Sequence, residues 1–179
     1  MSIKVTVLSG SPVSGTVREY FFDAKSQCSW FCFEDDSGEE WVGVFGCSEL
    51  TTSCNTAIPF SDGKNIFVIA AGQGYIVECS TRKLRYKTSI DCLTSVIAAP
   101  SRDLIIAADY TDLYAFDSQN LIWHSDRVAL DGIKLDSSTR DGMFGKVWQM
   151  DDWYSCTLQY KEWKFAQGSR LSTDWFKYA

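Results

Sequence analysis

The stretch Asp103–Ser125, DLIIAADYTDLYAFDSQNLIWHS, decides the fold of this chain of 179 residues. It contains a short apolar run, a polar turn, an alternating run, a second polar turn and a third run that ends in an aromatic residue. Short apolar or alternating runs separated by turn residues are typical of consecutive antiparallel strands. The stretch therefore predicts a three-stranded antiparallel meander.

The same pattern lies 37 positions earlier, because Ile69 recurs as Ile106. A strand-rich repeat of this length is typical of a propeller blade or a similar array. We therefore predict an all-β fold, a small or incomplete β-propeller of about four four-stranded antiparallel blades. The repeating positions are Ile69, Ala70, Ala71, Leu84 and Leu93, which recur as Ile106, Ala107, Ala108, Leu121 and Leu130.

We predict one domain over residues 1–179, with repeats of about 24–60, 61–98, 99–135 and 136–179. The fourth repeat is the most altered, because it gains residues in a turn that we expect to hold Asp151 and Asp152. Two further strands, Ile3–Leu8 and Leu171–Tyr178, have no counterpart in the repeats. Terminal strands that break a repeat are expected where an array is capped or closed.

The residues Leu104–Ala108, Asp112–Asp117 and Leu121–Trp123 resemble the repeat of quinoprotein-type β-propellers. In that family a blade runs as a strand, a turn, a strand ending in an apolar-Asp step, a short turn and a strand ending in Trp. The resemblance implies the blade. The family's dehydrogenases hold a quinone and calcium, but this chain has no vicinal cysteine pair, so we expect no cofactor. Four repeats predict either a four-bladed ring or an open arc that pairs with a second copy.

The net charge of −6 argues against binding of nucleic acid, which requires clustered Lys and Arg, and it favours either a basic partner or simple solubility. No early stretch has the pattern of a secretory signal, and no apolar run is long enough for a membrane span. We therefore expect a cytoplasmic protein. The seven cysteines include no Cys-x-x-Cys pair, and we expect reduced, mostly buried thiols and no metal site.

The densest charge lies between positions 34 and 40, EDDSGEE. The spacing departs from that of a calcium-binding loop. It fits either a solvated hairpin turn or a surface that receives a basic partner. The candidate partner-binding residues here are Glu34, Asp35, Asp36, Glu39 and Glu40.

A second candidate surface combines acidic and aromatic residues near position 150. Tryptophan commonly anchors protein interfaces and aromatic platforms also hold sugars, whereas core packing is the alternative for Trp148. The candidate partner-binding residues here are Trp148, Asp151, Asp152 and Trp153.

Three aromatic residues, Tyr86, Trp123 and Trp163, share one position of the repeat. We predict that they pack between blades. The adjacent His124 corresponds to Lys87 in the preceding repeat, which predicts an outward-facing, solvent-exposed position rather than a general base.

No Gly-x-Ser-x-Gly or His-Glu-x-x-His motif is present. We therefore predict a non-catalytic, cytosolic protein-binding module, one concrete form being an immunity-type inhibitor whose acidic face covers a basic toxin or nuclease. One alternative is a small carbohydrate- or metabolite-handling enzyme, which needs paired carboxylates about 5 to 9 Å apart beside an aromatic floor. Another is a structural assembly module, with homodimers formed through open blade edges.

Overall fold

The computed structural model describes residues 3–12 and 17–170. Over these residues the chain forms sixteen strands and one 3₁₀ helix, Pro100–Arg102. The strands are β1 (Lys4–Leu8), β2 (Arg18–Phe22), β3 (Cys28–Glu34), β4 (Glu40–Gly46), β5 (Thr56–Pro59), β6 (Asn65–Ala70), β7 (Gln73–Glu78), β8 (Lys83–Lys87), β9 (Ser95–Ala99), β10 (Leu104–Ala108), β11 (Leu113–Phe116), β12 (Leu121–His124), β13 (Ile133–Ser138), β14 (Gly142–Gln149), β15 (Asp152–Gln159) and β16 (Lys164–Arg170). The C-terminal strand predicted at 171–178 lies outside the described residues.

The strands form four sheets of four strands each, which confirms the predicted fold class. The second, third and fourth sheets are antiparallel meanders with the orders β5-β6-β7-β8, β9-β10-β11-β12 and β13-β14-β15-β16. The first sheet has the order β1-β3-β4-β2, and its edge strand β2 is parallel to β4. Both strands that precede the first repeat therefore belong to the first sheet.

Each later sheet begins one strand before the repeat that sequence periodicity defined. Thr56–Pro59, placed last in the repeat 24–60, pairs with β6 in the second sheet. Ser95–Ala99, placed last in the repeat 61–98, pairs with β10 in the third sheet. The boundaries of the sheets therefore differ by one strand from those of the predicted repeats.

The chain divides into two compact units. Unit 1 comprises residues 1–93 and 118–120 and holds the first and second sheets. Unit 2 comprises residues 94–117 and 121–179 and holds the third and fourth sheets. The organisation as a single domain stays a prediction.

The core of unit 1 is built from aromatic rings on alternate positions of neighbouring strands. Phe31 and Phe33 of β3 are fully buried, because alternate side chains of a strand point to the same face. The Phe33 ring stacks on Trp41, with centroids 4.2 Å apart. Tyr75 is also fully buried, and its hydroxyl donates to the Gly46 carbonyl at 2.6 Å. This bond ties the second sheet to the first.

The core of unit 2 is mostly aliphatic, with Ile106 and Leu113 from the third sheet and Met143, Val147 and Leu158 from the fourth. Trp123 and Trp163 pack against this core as half-buried residues. Their rings stack on each other, with centroids 4.8 Å apart. The prediction that these two tryptophans pack between blades is confirmed.

The central strands are covered on both faces. All six residues of β6 are buried, as are four of the five in β10. Equivalent positions of the repeat are nevertheless not equally buried. Leu93 and Leu130 occupy the same position of successive repeats, yet Leu93 is fully buried and Leu130 is 42% exposed. Periodicity therefore marks the strands but does not fix the environment of each loop residue.

None of the seven cysteines, all of which lie in the described residues, forms a disulfide bond; Cys79 and Cys156 are buried and the other five are half-buried. Burial raises the pKa of both buried thiols to about 12, because a thiolate is poorly solvated inside the core. Over the described residues, no helix has the length and apolar character needed to cross a membrane.

Candidate functional site

Two loops of unit 2 are joined to each other and to the end of β14 by main-chain hydrogen bonds, a third loop directly follows β14, and we call the three the loop cluster. They are residues 109–112 between β10 and β11, residues 125–132 between β12 and β13, and residues 150–151 between β14 and β15. The bonds run from Val128 N and Ala129 N to Thr111 O, from Gly132 N to Tyr110 O, from Leu130 N to Trp148 O and from Trp148 N to Gly132 O, at 2.7 to 3.1 Å. The middle loop is therefore held by the first loop on one side and by β14 on the other.

Asp109 shapes the first loop. Its Oδ1 accepts the backbone N–H groups of Thr111 and Asp112, each at 2.7 Å. Such side-chain bonds to the following backbone are the reason that Asp is favoured in turns. Its Oδ2 accepts the Tyr114 hydroxyl at 2.7 Å. Burial, and then this bond, raise the pKa of Tyr114, so the phenol stays a proton donor.

Two side chains satisfy the carbonyls of the middle loop. Arg127 donates from Nε to Ala129 O at 3.0 Å and from Nη2 to Leu130 O at 2.9 Å. Gln149, at the end of β14, donates from Nε2 to Val128 O at 2.8 Å. The first and middle loops thus present their side chains on a fixed backbone, which lowers the conformational entropy lost when a partner binds.

The loop cluster exposes three apolar side chains. Tyr110 is 46% exposed, Leu130 is 42% exposed, and Met150 is 85% exposed at the tip of the β14–β15 turn. Three carboxylates in or beside the same loops are exposed as well: Asp126, Asp131 and Asp151. Apolar side chains with a charged rim are the usual composition of a protein-binding surface.

The structure brings together the tryptophans that sequence analysis selected. Trp148 and Trp153 are directly opposite each other on β14 and β15. Their rings meet edge to face, with centroids 5.6 Å apart, and the Lys134 ammonium lies 4.6 Å from the Trp153 ring centroid. Both tryptophans are half-buried, so they support the loop cluster and also offer part of their surface to solvent.

The two neighbouring carboxylates have different environments. Asp151 lies in the turn and is exposed, as predicted, but Asp152 is the first residue of β15 and is buried. Asp152 accepts Arg170 Nε at 2.7 Å, and Asp151 lies 3.1 Å from Nη2 of the same guanidinium. The bond from Arg170 lowers the pKa of Asp152. The expectation that Asp152 lies in the turn is corrected: Asp152 ties β15 to the end of β16.

The acidic segment 34–40 forms the β3–β4 hairpin in unit 1, as the turn prediction required. Asp35 Oδ1 accepts the backbone N–H groups of Ser37 at 2.9 Å and Glu39 at 3.1 Å, and it also accepts the Ser37 hydroxyl. The hydroxyl bond is the main reason that the pKa of Asp35 is lowered. Gly38 has a φ of 79°, a conformation that glycine adopts without strain. Asp35 is thus a structural residue of the turn.

Two other carboxylates of this hairpin are neutralised within the chain. Glu34 pairs with Lys4 at 3.0 Å, and Glu39 pairs with Arg82. Asp36 and Glu40 are exposed. Within the described residues, no group of three or more His, Cys, Asp or Glu side chains is arranged to hold a metal ion. The hairpin therefore carries less free negative charge than its sequence indicates.

His124 is half-exposed, with 50% of its side chain accessible. Its ring stacks on Tyr114 with centroids 4.9 Å apart, and its Nε2 lies 3.2 Å from Asp112 Oδ2. Sequence analysis found the exposure but not these contacts, because the carboxylate and the phenol come from a different strand and turn.

Sequence analysis also missed the apolar residues of the loop cluster. Tyr110 and Met150 are flanked by turn residues, and Leu130 stands where the preceding repeat has a buried leucine. One sequence signal could have identified these residues. An apolar residue inside a polar turn indicates either that it packs against another loop or that it is exposed and available to a binding partner.

No family model matches the chain, and no curated protein matches it. A solved structure titled "Structure of U3-55K", which is that of a WD40 β-propeller protein, is similar with a TM-score of 0.55 and 12% sequence identity. The match covers 91% of this chain and 54% of that chain. The chain thus spans about half the length of that protein, and the likeness shows a β-propeller-like fold. The finer resemblance to quinoprotein-type blades stays a prediction.

Proposed function

We propose, from the likeness to a WD40 β-propeller and from the loop cluster, that the chain is a non-catalytic protein-binding module. The observation that carries the proposal is Met150, which is 85% exposed on a turn whose neighbouring loops are fixed by hydrogen bonds. An exposed apolar side chain beside loops that are held by hydrogen bonds favours binding, because apolar surface is removed from water and the neighbouring loops lose little entropy.

The partner that fits the loop cluster combines an apolar anchor with basic side chains. The thioether of Met150 adapts to partners of different shape, and Leu130 and Tyr110 widen the apolar surface. The rim carboxylates Asp126 and Asp151 favour Lys or Arg on the partner and raise the rate of encounter. An immunity-type inhibitor of a basic toxin or nuclease is one form that this proposal can take.

The alternative of a carbohydrate-handling enzyme is less well supported. Such an enzyme needs a carboxylic acid and a carboxylate that are free to exchange protons with substrate. Asp151 and Asp152 both contact Arg170, and Asp152 is buried beneath that ion pair. Glu40, the third candidate, belongs to the other unit. These contacts favour a binding role over a catalytic one.

Site-specific photo-crosslinking tests the proposal. A benzophenone amino acid replaces Met150 in the full chain, and a matched control replaces Leu84, which is 41% exposed on β8 of unit 1. We expect a discrete protein adduct in native lysate from position 150 and none from position 84. The yield of the adduct should fall when Asp126 and Asp151 are both changed to Lys. Equal labelling from the two positions, or no adduct at position 150, would contradict the proposal.

A further inference from the structure

Two sheet faces carry exposed aromatic side chains. In unit 1 the first sheet packs on the second through one face, and alternation along the strands places a second apolar set on the opposite face. We call this set the first outer face. Its aromatic residue Phe21 is 66% exposed. The apolar members of the first outer face are Leu8, Phe21, Trp30, Cys32, Val42 and Val44.

The fourth sheet has a corresponding face in unit 2. Met143 and Val147 of β14 point into the core, so Phe144, Lys146 and Trp148 point to the opposite side. We call this side the fourth outer face. Trp153 and Lys134 also lie on it, since each is directly opposite one of these residues in the strand register. Phe144 is 46% exposed.

The remaining sheets show what a covered face looks like in this protein. Phe67 of β6 and Phe116 of β11 point away from the cores of their units, yet they are 1% and 0% exposed. On the first outer face Val42 and Val44 of the central strand β4 are equally buried, and the exposed apolar surface lies at the edge strand β2, at Phe21. On the fourth outer face Phe144 is exposed on the central strand β14. Covering these two rings would remove apolar surface from water at roughly 25 cal/mol for each Å².

The charges of the two outer faces are complementary. On the first outer face Glu34 is directly opposite Glu40, and on the fourth outer face Lys134 is directly opposite Lys146. Like charges directly opposite each other destabilise a sheet. Each pair has one opposite charge nearby: Lys4 lies 3.0 Å from Glu34, and Asp136 lies 3.6 Å from Lys146. The first outer face therefore keeps a surplus of negative charge and the fourth a surplus of positive charge.

We infer that a second copy of this chain covers these faces. The first outer face of one copy packs against the fourth outer face of the other, so that Glu34 and Glu40 approach Lys134 and Lys146. The contact buries Phe21 and Phe144, and it relieves both like-charge pairs at once. Each contact of this kind joins unit 1 of one copy to unit 2 of another.

Light scattering on the full chain during size exclusion tests the inference. At 100 µM in low salt we expect a mass twice the 20.2 kDa of one chain. Glu40→Lys or Lys146→Glu alone places like charges across the contact, and each should raise the dissociation constant by about tenfold or more. The double variant E40K/K146E exchanges the charges and should restore the dissociation constant to within about threefold of wild type.

Two matched changes lie away from both faces. Lys161→Glu and Glu162→Lys reverse exposed charges in the β15–β16 turn, and both variants should associate as wild type does. Far-UV circular dichroism checks that each variant is folded. If charge pairs hold the contact, raising the NaCl concentration should also raise the dissociation constant of the wild-type assembly. An assembly larger than two copies that follows the same charge exchange supports the contact. A 20.2 kDa wild-type chain at 100 µM, or association that both single reversals leave unchanged, would overturn the inference.

Discussion

The indole rings of Trp123 and Trp163 stack with their planes inclined by 13°, and so join β12 of the third sheet to the turn before β16 of the fourth. Removing either ring leaves a gap between the two sheets. Because both rings are half-buried, Trp123→Ala should lower the free energy of unfolding by about 2 to 3 kcal/mol, below the 3 to 5 expected for a fully buried aromatic.

A double-mutant cycle separates the stacking from the loss of buried area. Trp123→Ala, Trp163→Ala and the double variant are compared by urea denaturation. Aromatic pairs contribute about 0.5 to 1.5 kcal/mol beyond area, and we expect a coupling energy in that range. The far-ultraviolet exciton signal of the stacked indoles should disappear in all three variants. Additive effects of the two substitutions would show that the rings do not interact.

The bond between Asp152 and Arg170 makes unit 2 sensitive to acid. Because the folded pKa of Asp152 lies below its ordinary value, the bond stabilises the fold fully above the unfolded pKa of about 3.9, and the stabilisation is lost as the pH falls through the lower folded value. The melting temperature of Asp152→Asn should thus be below that of wild type at pH 7, and the difference should shrink below about pH 4.

Other carboxylates with lowered pKa also contribute to acid denaturation, including Asp35 and Asp62. The measurement is therefore the difference between the variant and wild type across the pH range. Glu162→Gln, an exposed carboxylate in the β15–β16 turn, serves as the control and should give a constant small difference. A pH-independent deficit in Asp152→Asn would show that the ion pair does not account for the stabilisation.

Gly145 permits a close approach between β13 and β14. A Cβ atom at this position would lie 2.3 Å from the Lys134 carbonyl oxygen, and a backbone atom cannot move aside as a flexible side chain can. Gly145→Ala should therefore destabilise the protein by at least about 1 to 3 kcal/mol, as overpacking does. At Gly10 a Cβ atom would meet no atom within 4 Å, so Gly10→Ala should have little effect in the same thermal unfolding experiment.

The two buried thiols report separately on the two units, because Cys79 lies in unit 1 and Cys156 in unit 2. Burial raises both pKa values to about 12, so neither thiol should react with iodoacetamide at pH 8 in the folded protein. Mass spectrometry along a guanidinium series should then show where each becomes reactive. Labelling of either thiol without denaturant would contradict the buried environment.

Sequence patterns predicted the covered strands well. The apolar run at the start of Asp103–Ser125 predicted a strand, and β10 is that strand, with four of its five residues buried. The turn residues between the runs likewise predicted hairpins, and the acidic segment forms one of them. These features depend on neighbours that are close in sequence, and so local pattern is enough.

Pairing between repeats could not be predicted in the same way. The strand Ser95–Ala99 is followed and preceded by strands of similar length and composition, and apolar alternation does not say which of them it joins. The parallel pairing of β2 with β4 could not be predicted for the same reason, since the composition of a strand does not give its direction relative to the sheet.

The candidate site was predicted only in part. Trp148 and Trp153 were selected for their side-chain chemistry, and the hairpin register indeed brings them together. Leu130 was taken as a repeat of buried Leu93, yet it is exposed on a loop held by Trp148 and Arg127. Such exposure depends on contacts between loops that are far apart in sequence, and no periodic signal records them.

Sheet pairing that runs one strand ahead of the sequence repeat decides where the chain can be shortened. A truncation after residue 98 follows the periodicity, but it would separate most of β9 from β10, the strand that it pairs with. That fragment would expose an unpaired β edge, which invites aggregation. A cut between residues 87 and 95 keeps whole sheets and the cores of both units intact, and fragments with those ends are the ones that should express as soluble proteins. A cut between 124 and 133 also keeps whole sheets, but it divides the core that the third and fourth sheets share.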